Sequence, residues 1–334
     1  MNKRNAIILA LFLVLVGLEV VVMLPKDVNL AADGSTPQAP GGAHEPGQVM
    51  RDVFLVEAKA SGKEWELRAK RAVRDDQDSP LMIETVNVKF FAPNGAFYTV
   101  TGKRGKVTPN KNNMRITGDV VTRSSNGYEF HTESAVYDAK AKRLLSPEKV
   151  EMTGPPDANG GSLSLTGSEM MVDVPSDEMR IGRDVQARKK IKGDRLVTIA
   201  SRRAFFSGRS NQARFAGDVV IDVDTLRITG PEARFLYKPG TDFIQSMLVE
   251  GGAKVTDVDK MATADRVSVH FDSEKIVFQG SPKLVQNGDE LDGEEIVFLD
   301  GGRKVQVNNV RAKIDEATAN GTGPLPSLSP KERR

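Results

Sequence analysis

Gly217-Asp218-Val219-Val220-Ile221-Asp222-Val223 is the stretch that decides how this chain folds. After a turn, a Gly-Asp step leads into a β-branched run. Val219, Ile221 and Val223 share one face of that run and Val220 and Asp222 the other, the two-residue period of a strand with one buried side. The same step stands upstream as Gly118-Asp119-Val120-Val121, Ser146-Pro147-Glu148-Lys149-Val150 and Gly182-Arg183-Asp184-Val185. Downstream it returns as Gly251-Gly252-Ala253-Lys254-Val255 and Gly280-Ser281-Pro282-Lys283-Leu284. The spacing is uneven but averages roughly 30 residues, within the range of stacked repeat architectures. Such a chain builds a long continuous sheet, and its function is expected along that length instead of in one catalytic cleft.

Outward from these steps the alternation continues. In Trp65-Glu66-Leu67-Arg68-Ala69 the odd-numbered residues share one face and the charged ones the other; Val267, Val269 and Phe271 oppose Ser268 and His270 in the same way. No stretch between about 53 and 314 has a helical period, so the expectation is an all-β fold of many short antiparallel strands packed over one interior. Alternation alone fits a parallel β-helix equally well. Lys189-Lys190-Ile191-Lys192-Gly193-Asp194-Arg195 interrupts the apolar pattern and suggests two modules, 53–190 and 195–314, made from the same units, so that their sheets could run on into each other instead of folding separately.

Composition agrees with many turns and short strands: 30 Gly and 17 Pro in 334 residues, with 6% aromatics. The net charge of +2 comes from 47 basic and 45 acidic residues spread along the chain. That excludes the clustered basic face a nucleic-acid binder needs. There is no cysteine, which rules out disulfides and thiolate metal sites.

The amino terminus sets the expected compartment. Lys3 and Arg4 precede an apolar run from Ala6 to Leu24, about 19 residues and close to a bilayer-spanning length. The positive-inside rule places Met1–Arg4 in the cytoplasm and everything after Leu24 outside it. The rival reading is a cleaved signal peptide, but the run is long for one and Leu30-Ala31-Ala32 lacks the small residue two positions before Ala32. Glu19 inside the span either reaches the interface or contacts a partner's membrane helix. Residues 26–52 read as a flexible tether and 315–334 as a disordered tail.

Chemistry-bearing residues are scattered. His44 lies in the tether, and His131 and His270 fall on polar strand faces beside Phe130 and Phe271, without metal-ligand spacing. Gly102-Lys103-Arg104-Gly105-Lys106 lacks the spacing and following helix of a phosphate loop and reads as a turn. Asp75-Asp76, Asp257 with Asp259, and Glu294-Glu295 read as turn or solvent-facing carboxylates. No catalytic residue, metal site or cofactor is expected.

Two family resemblances then emerge. Residues 1–190 resemble the bitopic inner-membrane subunit of lipopolysaccharide export (the LptC family), through the anchor, the tether, Glu64-Trp65-Glu66-Leu67-Arg68-Ala69 and the strands up to Ile116-Thr117-Gly118-Asp119-Val120. Residues 195–314 resemble the soluble periplasmic bridge of the same pathway (the LptA, or OstA-like, family). The matching segments are Val197-Thr198-Ile199-Ala200-Ser201, Arg214-Phe215-Ala216-Gly217-Asp218-Val219, Ala262-Thr263-Ala264-Asp265-Arg266-Val267 and Leu291-Asp292-Gly293-Glu294-Glu295-Ile296. The departure from both is the fusion itself.

The resemblance implies an elongated twisted β-jellyroll shaped like a taco shell, preceded by one transmembrane helix. It implies a non-enzymatic conduit that accepts lipopolysaccharide from an inner-membrane ABC transporter and passes it along an apolar groove toward the outer membrane. The inward, lipid-facing candidates in the second module are Phe215, Val219, Ile221, Val223, Ile228, Phe235, Val255, Val267, Val269, Phe271, Ile276 and Phe278. In the first they are Trp65, Leu67, Val88, Phe90, Ile116, Val120 and Phe130. These residues are equally able simply to fill a sandwich core. Open sheet ends invite strand addition. The edge near Val53–Val56 is expected to meet a β-domain of the membrane complex, and that near Lys304–Ile314 a further bridge subunit or an outer-membrane translocon. The alternatives are a membrane-tethered β-solenoid scaffold and a polysaccharide hydrolase or lyase; one Trp and four Tyr argue against the sugar-stacking platform the last would need.

Overall fold

The computed structural model describes residues 47–60, 62–76, 78–108, 113–156, 161–191, 195–238, 244–299, 304–309 and 311–313. The expected anchor with Glu19, His44, most of the tether, and the tail lie outside them. No helix among the described residues is long and apolar enough to cross a membrane.

The first half comprises β1 (Gln48–Lys59), β2 (Gly62–Arg74), β3 (Leu81–Phe91), β4 (Phe97–Val107), β5 (Met114–Ser124), β6 (Glu129–Asp138), β7 (Arg143–Pro156), β8 (Ser162–Asp173) and β9 (Glu178–Ile191). Each pairs antiparallel with the next. β1 begins inside the expected tether because Val49 and Met50 pair with Val73 and Ala72. The second half continues with β10 (Arg195–Ser201), β11 (Arg203–Ser207), β12 (Gln212–Val223), β13 (Leu226–Tyr237), β14 (Ile244–Asp257) and β15 (Lys260–His270). It closes with β16 (Lys275–Gln279), β17 (Lys283–Gln286), β18 (Asp289–Asp292), β19 (Glu295–Leu299), β20 (Lys304–Asn308) and β21 (Arg311–Lys313). The 21 strands among the described residues belong to one sheet, and its antiparallel ladders set aside the β-helix.

The recurring Gly-Asp step has a definite place in the ladders. It is a bulge within a long strand. Thr117 pairs with Ser134 but Val120 with Thr132, so β5 carries one residue more than β6. Ala216 pairs with Glu232 and Val219 with Gly230, giving β12 the same excess over β13. Gly118 and Asp119 (φ 83° and 49°) and Gly217 and Asp218 (φ 85° and 50°) stand in the left-handed region, which Gly enters freely and Asp more readily than most residues. A bulge bends its strand and increases the local twist, and these fall on alternate passes of the chain. That explains the roughly 30-residue repeat, which is the length of one hairpin. In β10/β11 and again from β16 onward the bend becomes a full break. β10 and β11 together lie between β9 and β12, and β16 with β17 complete one pass beside β15.

The line of bulges is a crease along which the sheet doubles over. Phe90 on β3 meets Tyr137 on β6, two strands with no shared ladder, with ring centroids 4.4 Å apart across the interior. Gly102 and Gly105, expected in a turn, lie inside β4 at the crease: a Cβ on Gly102 would stand 2.5 Å from Ile116 Cγ2, and one on Gly105 2.7 Å from Ile83 Cγ1. Gly167 on β8 is as crowded, 2.5 Å from Ile181 Cγ2 and 3.0 Å from the Arg183 carbonyl. Gly167→Ala is therefore expected to destabilise by about 1–3 kcal/mol through overpacking, read as a lower denaturation midpoint; an unchanged midpoint contradicts the crease packing.

The supposed seam between modules is a β-hairpin. Ile191 pairs with Arg195, Lys189 with Val197, Ala187 with Ile199 and Val185 with Ser201. Along β9 the alternation continues to its end: Val185 and Ala187 are buried, and Lys189 sends its ammonium to the Gly161 carbonyl at 3.4 Å, its aliphatic stem following the same face. The sheet thus runs from the first module into the second without interruption.

Candidate functional site

Trp65, Leu67, Val88, Phe90, Ile116, Val120 and Phe130 are buried in one apolar cluster with Phe215, Val219, Ile221, Ile228, Phe235, Val255, Val267 and Phe278. Val223, Val269 and Ile276 are half-buried against it. Phe271 is a correction: it is 44% exposed, because β15 ends at His270 and Phe271 opens the following turn, where the period of two no longer applies. His131 is exposed beside Glu129, 2.7 Å away. Among the described residues no group of His, Cys, Asp and Glu is arranged to hold a metal.

Opposite the crease the two halves meet along a seam built from turns. One lip carries the β1–β2, β3–β4, β5–β6 and β7–β8 connections. The other carries β6–β7, β8–β9, β11–β12 and β13–β14. The second lip is zipped along its length by backbone bonds from Val174 to Lys142 (3.2 Å), Gly208 to Asp177 (3.1 Å) and Tyr237 to Asn211 (2.9 Å).

Two polar clasps join the lips. In the first, Glu64 accepts from Lys59 at 3.0 Å on its own hairpin and pairs with Lys142 at 2.7 Å on the facing lip. Burial pushes the Glu64 carboxyl up, but the two ammonium groups outweigh it and hold the pKa below its ordinary 4.5. In the second, the nearly buried Tyr98 donates to Asp177 Oδ1 at 2.6 Å, and Asn94 Nδ2 donates to Asp177 Oδ2 at 3.3 Å. Burial, then this carboxylate, drives the Tyr98 phenol far above its usual range, so it remains a neutral donor. Because the Glu64 pKa is lowered by folding, its clasp strengthens the fold fully above about pH 4.5 and fades as pH drops through the lowered value. Thermal midpoints of the native chain and Glu64→Gln are therefore expected to differ at neutral pH and converge in acid; a gap independent of pH contradicts this role.

Beyond the second clasp the lips part. Tyr98, Tyr128, Phe130 and Pro155 face Phe206 and Tyr237 across a cleft of about 580 Å³, and Phe206 packs edge-on against Phe215, itself edge-on to Phe235. The cleft therefore leads from solvent to the apolar interior, with walls drawn from both sides of the β9–β10 hairpin. Sequence reading missed Glu64, Asn94, Tyr98, Lys142 and Asp177. Their signal was the turn chemistry of Pro93-Asn94-Gly95 and Pro175-Ser176-Asp177, which marks the lips but not which turns face each other.

These features define a class: a single antiparallel sheet folded over an apolar interior that opens along one seam. A family profile described as "Lipopolysaccharide-assembly, LptC-related" matches residues 9–191, and a second, "LptA/(LptD N-terminal domain) LPS transport protein", matches residues 198–300. The chain belongs to the LptC-related lipopolysaccharide-assembly family and carries an LptA-like segment behind it. No curated protein matches. Among solved structures it is similar to LptH of Pseudomonas aeruginosa, the LptA homologous periplasmic component of the lipopolysaccharide transport device, at 15% identity and a TM-score of 0.32, covering 36% of this chain and 94% of that one.

Proposed function

We propose that this chain is a membrane-anchored periplasmic conduit for lipopolysaccharide. Ala6–Leu24 holds it in the inner membrane with the amino terminus cytoplasmic. An ABC transporter complex delivers lipid to it, and the energy of transfer belongs to that partner; the chain itself performs no chemistry. The observation that carries the reading is the continuity of sheet and apolar interior across residues 191–195, which joins two lipopolysaccharide-transport segments into one path. Each acyl CH₂ kept from water on that path is worth about 0.8 kcal/mol, and a wall of Val, Ile and Phe offers no polar grip to trap a sliding chain. The edge strands support the docking expected of them: β1 exposes Phe54 (52%) and Val56 (44%) beside its unpaired side, and β20 with β21 ends the sheet at the other end.

The packed interior favours a second reading, a scaffold whose core is filled by its own side chains. A photo-crosslinking residue at Phe235, compared with one at the outward Asp222, separates the two. Irradiation of the full chain with lipopolysaccharide should give an adduct at Phe235 and none at Asp222. Equal or absent labelling at both sites would favour the scaffold.

A further inference from the structure

The outer face of the lip beside the cleft carries a row of side chains that the conduit reading leaves unused. Met171 lies opposite Arg180 in the β8–β9 ladder, Arg180 opposite Phe205 across β9–β11, Phe205 opposite Arg214 across β11–β12, and Arg214 opposite Arg234 across β12–β13. Directly paired residues point to one face of a sheet, and their strand neighbours Val172, Ile181, Ala204, Phe215 and Ala233 are buried inside, so the whole row faces out. It lines a groove of about 550 Å³. Arg143, Arg180, Arg214 and Arg234 stand there with Asp173 and Glu178, and Arg234 also reaches Glu250 at 3.5 Å. The Arg214 guanidinium stacks 4.2 Å above the Phe205 ring, which fixes its plane. Arg214 and Arg234 share Glu232 at 3.4 and 3.1 Å, and Arg143 pairs with Asp173 at 3.0 Å. The Arg180 side chain has no hydrogen-bond or ion-pair partner among the described residues.

The placement gives the row its meaning. Met179, Phe206, Ser207 and Gln212 line both this groove and the apolar cleft, so a single lip of the sheet separates the two. An amphiphile with chains in the cleft and its head folded over that lip would bring the head onto the arginines. Guanidinium groups held in fixed planes suit the bidentate recognition of phosphate.

We propose that this groove binds the phosphorylated sugar head of lipopolysaccharide, with Arg180 as the open cation and the stacked Arg214 beside it. The proposal rests on the conduit reading and adds to it where the head sits as lipid crosses the junction. It gives the path one polar foothold outside an otherwise gripless interior.

The test uses the full chain in detergent micelles with three probes: bisphosphorylated lipid A, the same lipid stripped of phosphate, and inorganic pyrophosphate. Arg180→Glu should weaken binding of bisphosphorylated lipid A about tenfold or more and leave the stripped lipid unchanged, while Arg180→Lys should recover most of the loss. Pyrophosphate alone should bind far more weakly than the phosphorylated lipid. Equal effects of Arg180→Glu on both lipids, or no effect on either, would overturn the head-group site while the conduit stands. Pyrophosphate binding as tightly as lipid would assign the groove to free phosphate and overturn it as well. Failure of the native chain to bind either lipid would bring down the conduit reading itself.

Discussion

Ile221→Glu should abolish lipid passage and lower stability by roughly 3–5 kcal/mol, the consequence of an unpaired charge in an apolar interior. Ile221 is 2% exposed and faces Ile199 in one ladder and Ile228 in the other, so the carboxylate meets only hydrocarbon on the sheet beside it. Val220→Glu, one residue along and half-exposed on the outer face, supplies the control for β-propensity and net charge and should change stability by no more than about 1 kcal/mol. Denaturation midpoints and lipid transfer measured on both variants check the assignment. Ile221→Glu folding normally and passing lipid at the native rate would show that the buried face is not the path.

A covalent bridge across the seam should halt transfer without unfolding the chain. Away from the cleft the interior is filled by buried side chains, so acyl chains pass the second clasp only when the lips separate there. Asn94 and Asp177 touch across the lips at 3.3 Å, and the chain has no native cysteine, so Asn94→Cys with Asp177→Cys gives a clean pair for a short bis-maleimide. The unbridged double variant leaves the Tyr98 hydroxyl without its acceptor, at a stability loss of about 1–3 kcal/mol, and should transfer lipid at least as fast as the native chain because one clasp is gone. Once bridged, transfer should fall to background while the chain keeps its far-ultraviolet spectrum. Full transfer by the bridged chain would mean that lipid never passes through the seam near the second clasp.

The sequence reveals strands and faces because both are local. Trp65 to Ala69 and Val219 to Ile221 alternate as their burial does. The Gly-Asp steps are visible too, but that each adds one residue to its strand as a bulge shows only in the ladder on either side. Phe271 fails where alternation is carried one residue past its strand. At Lys189 a half-buried charged residue continues an inward-facing row that a reading by charge ends. The seam lies beyond any local signal: Tyr98 and Asp177 are brought together by how far the doubled sheet twists between the fourth strand and the eighth, a sum over every bulge between them.

The most direct test of the central claim sits at the hairpin that joins the modules. Ile199, 7% exposed, lies between Ala187 of the first module and Ile221 of the second. A photo-crosslinking residue there, examined during lipopolysaccharide transfer alongside probes at Phe90 and Phe235, should be labelled together with both. Labelling at Phe90 and Phe235 with none at Ile199 would mean two separate compartments and would contradict a single path through the chain.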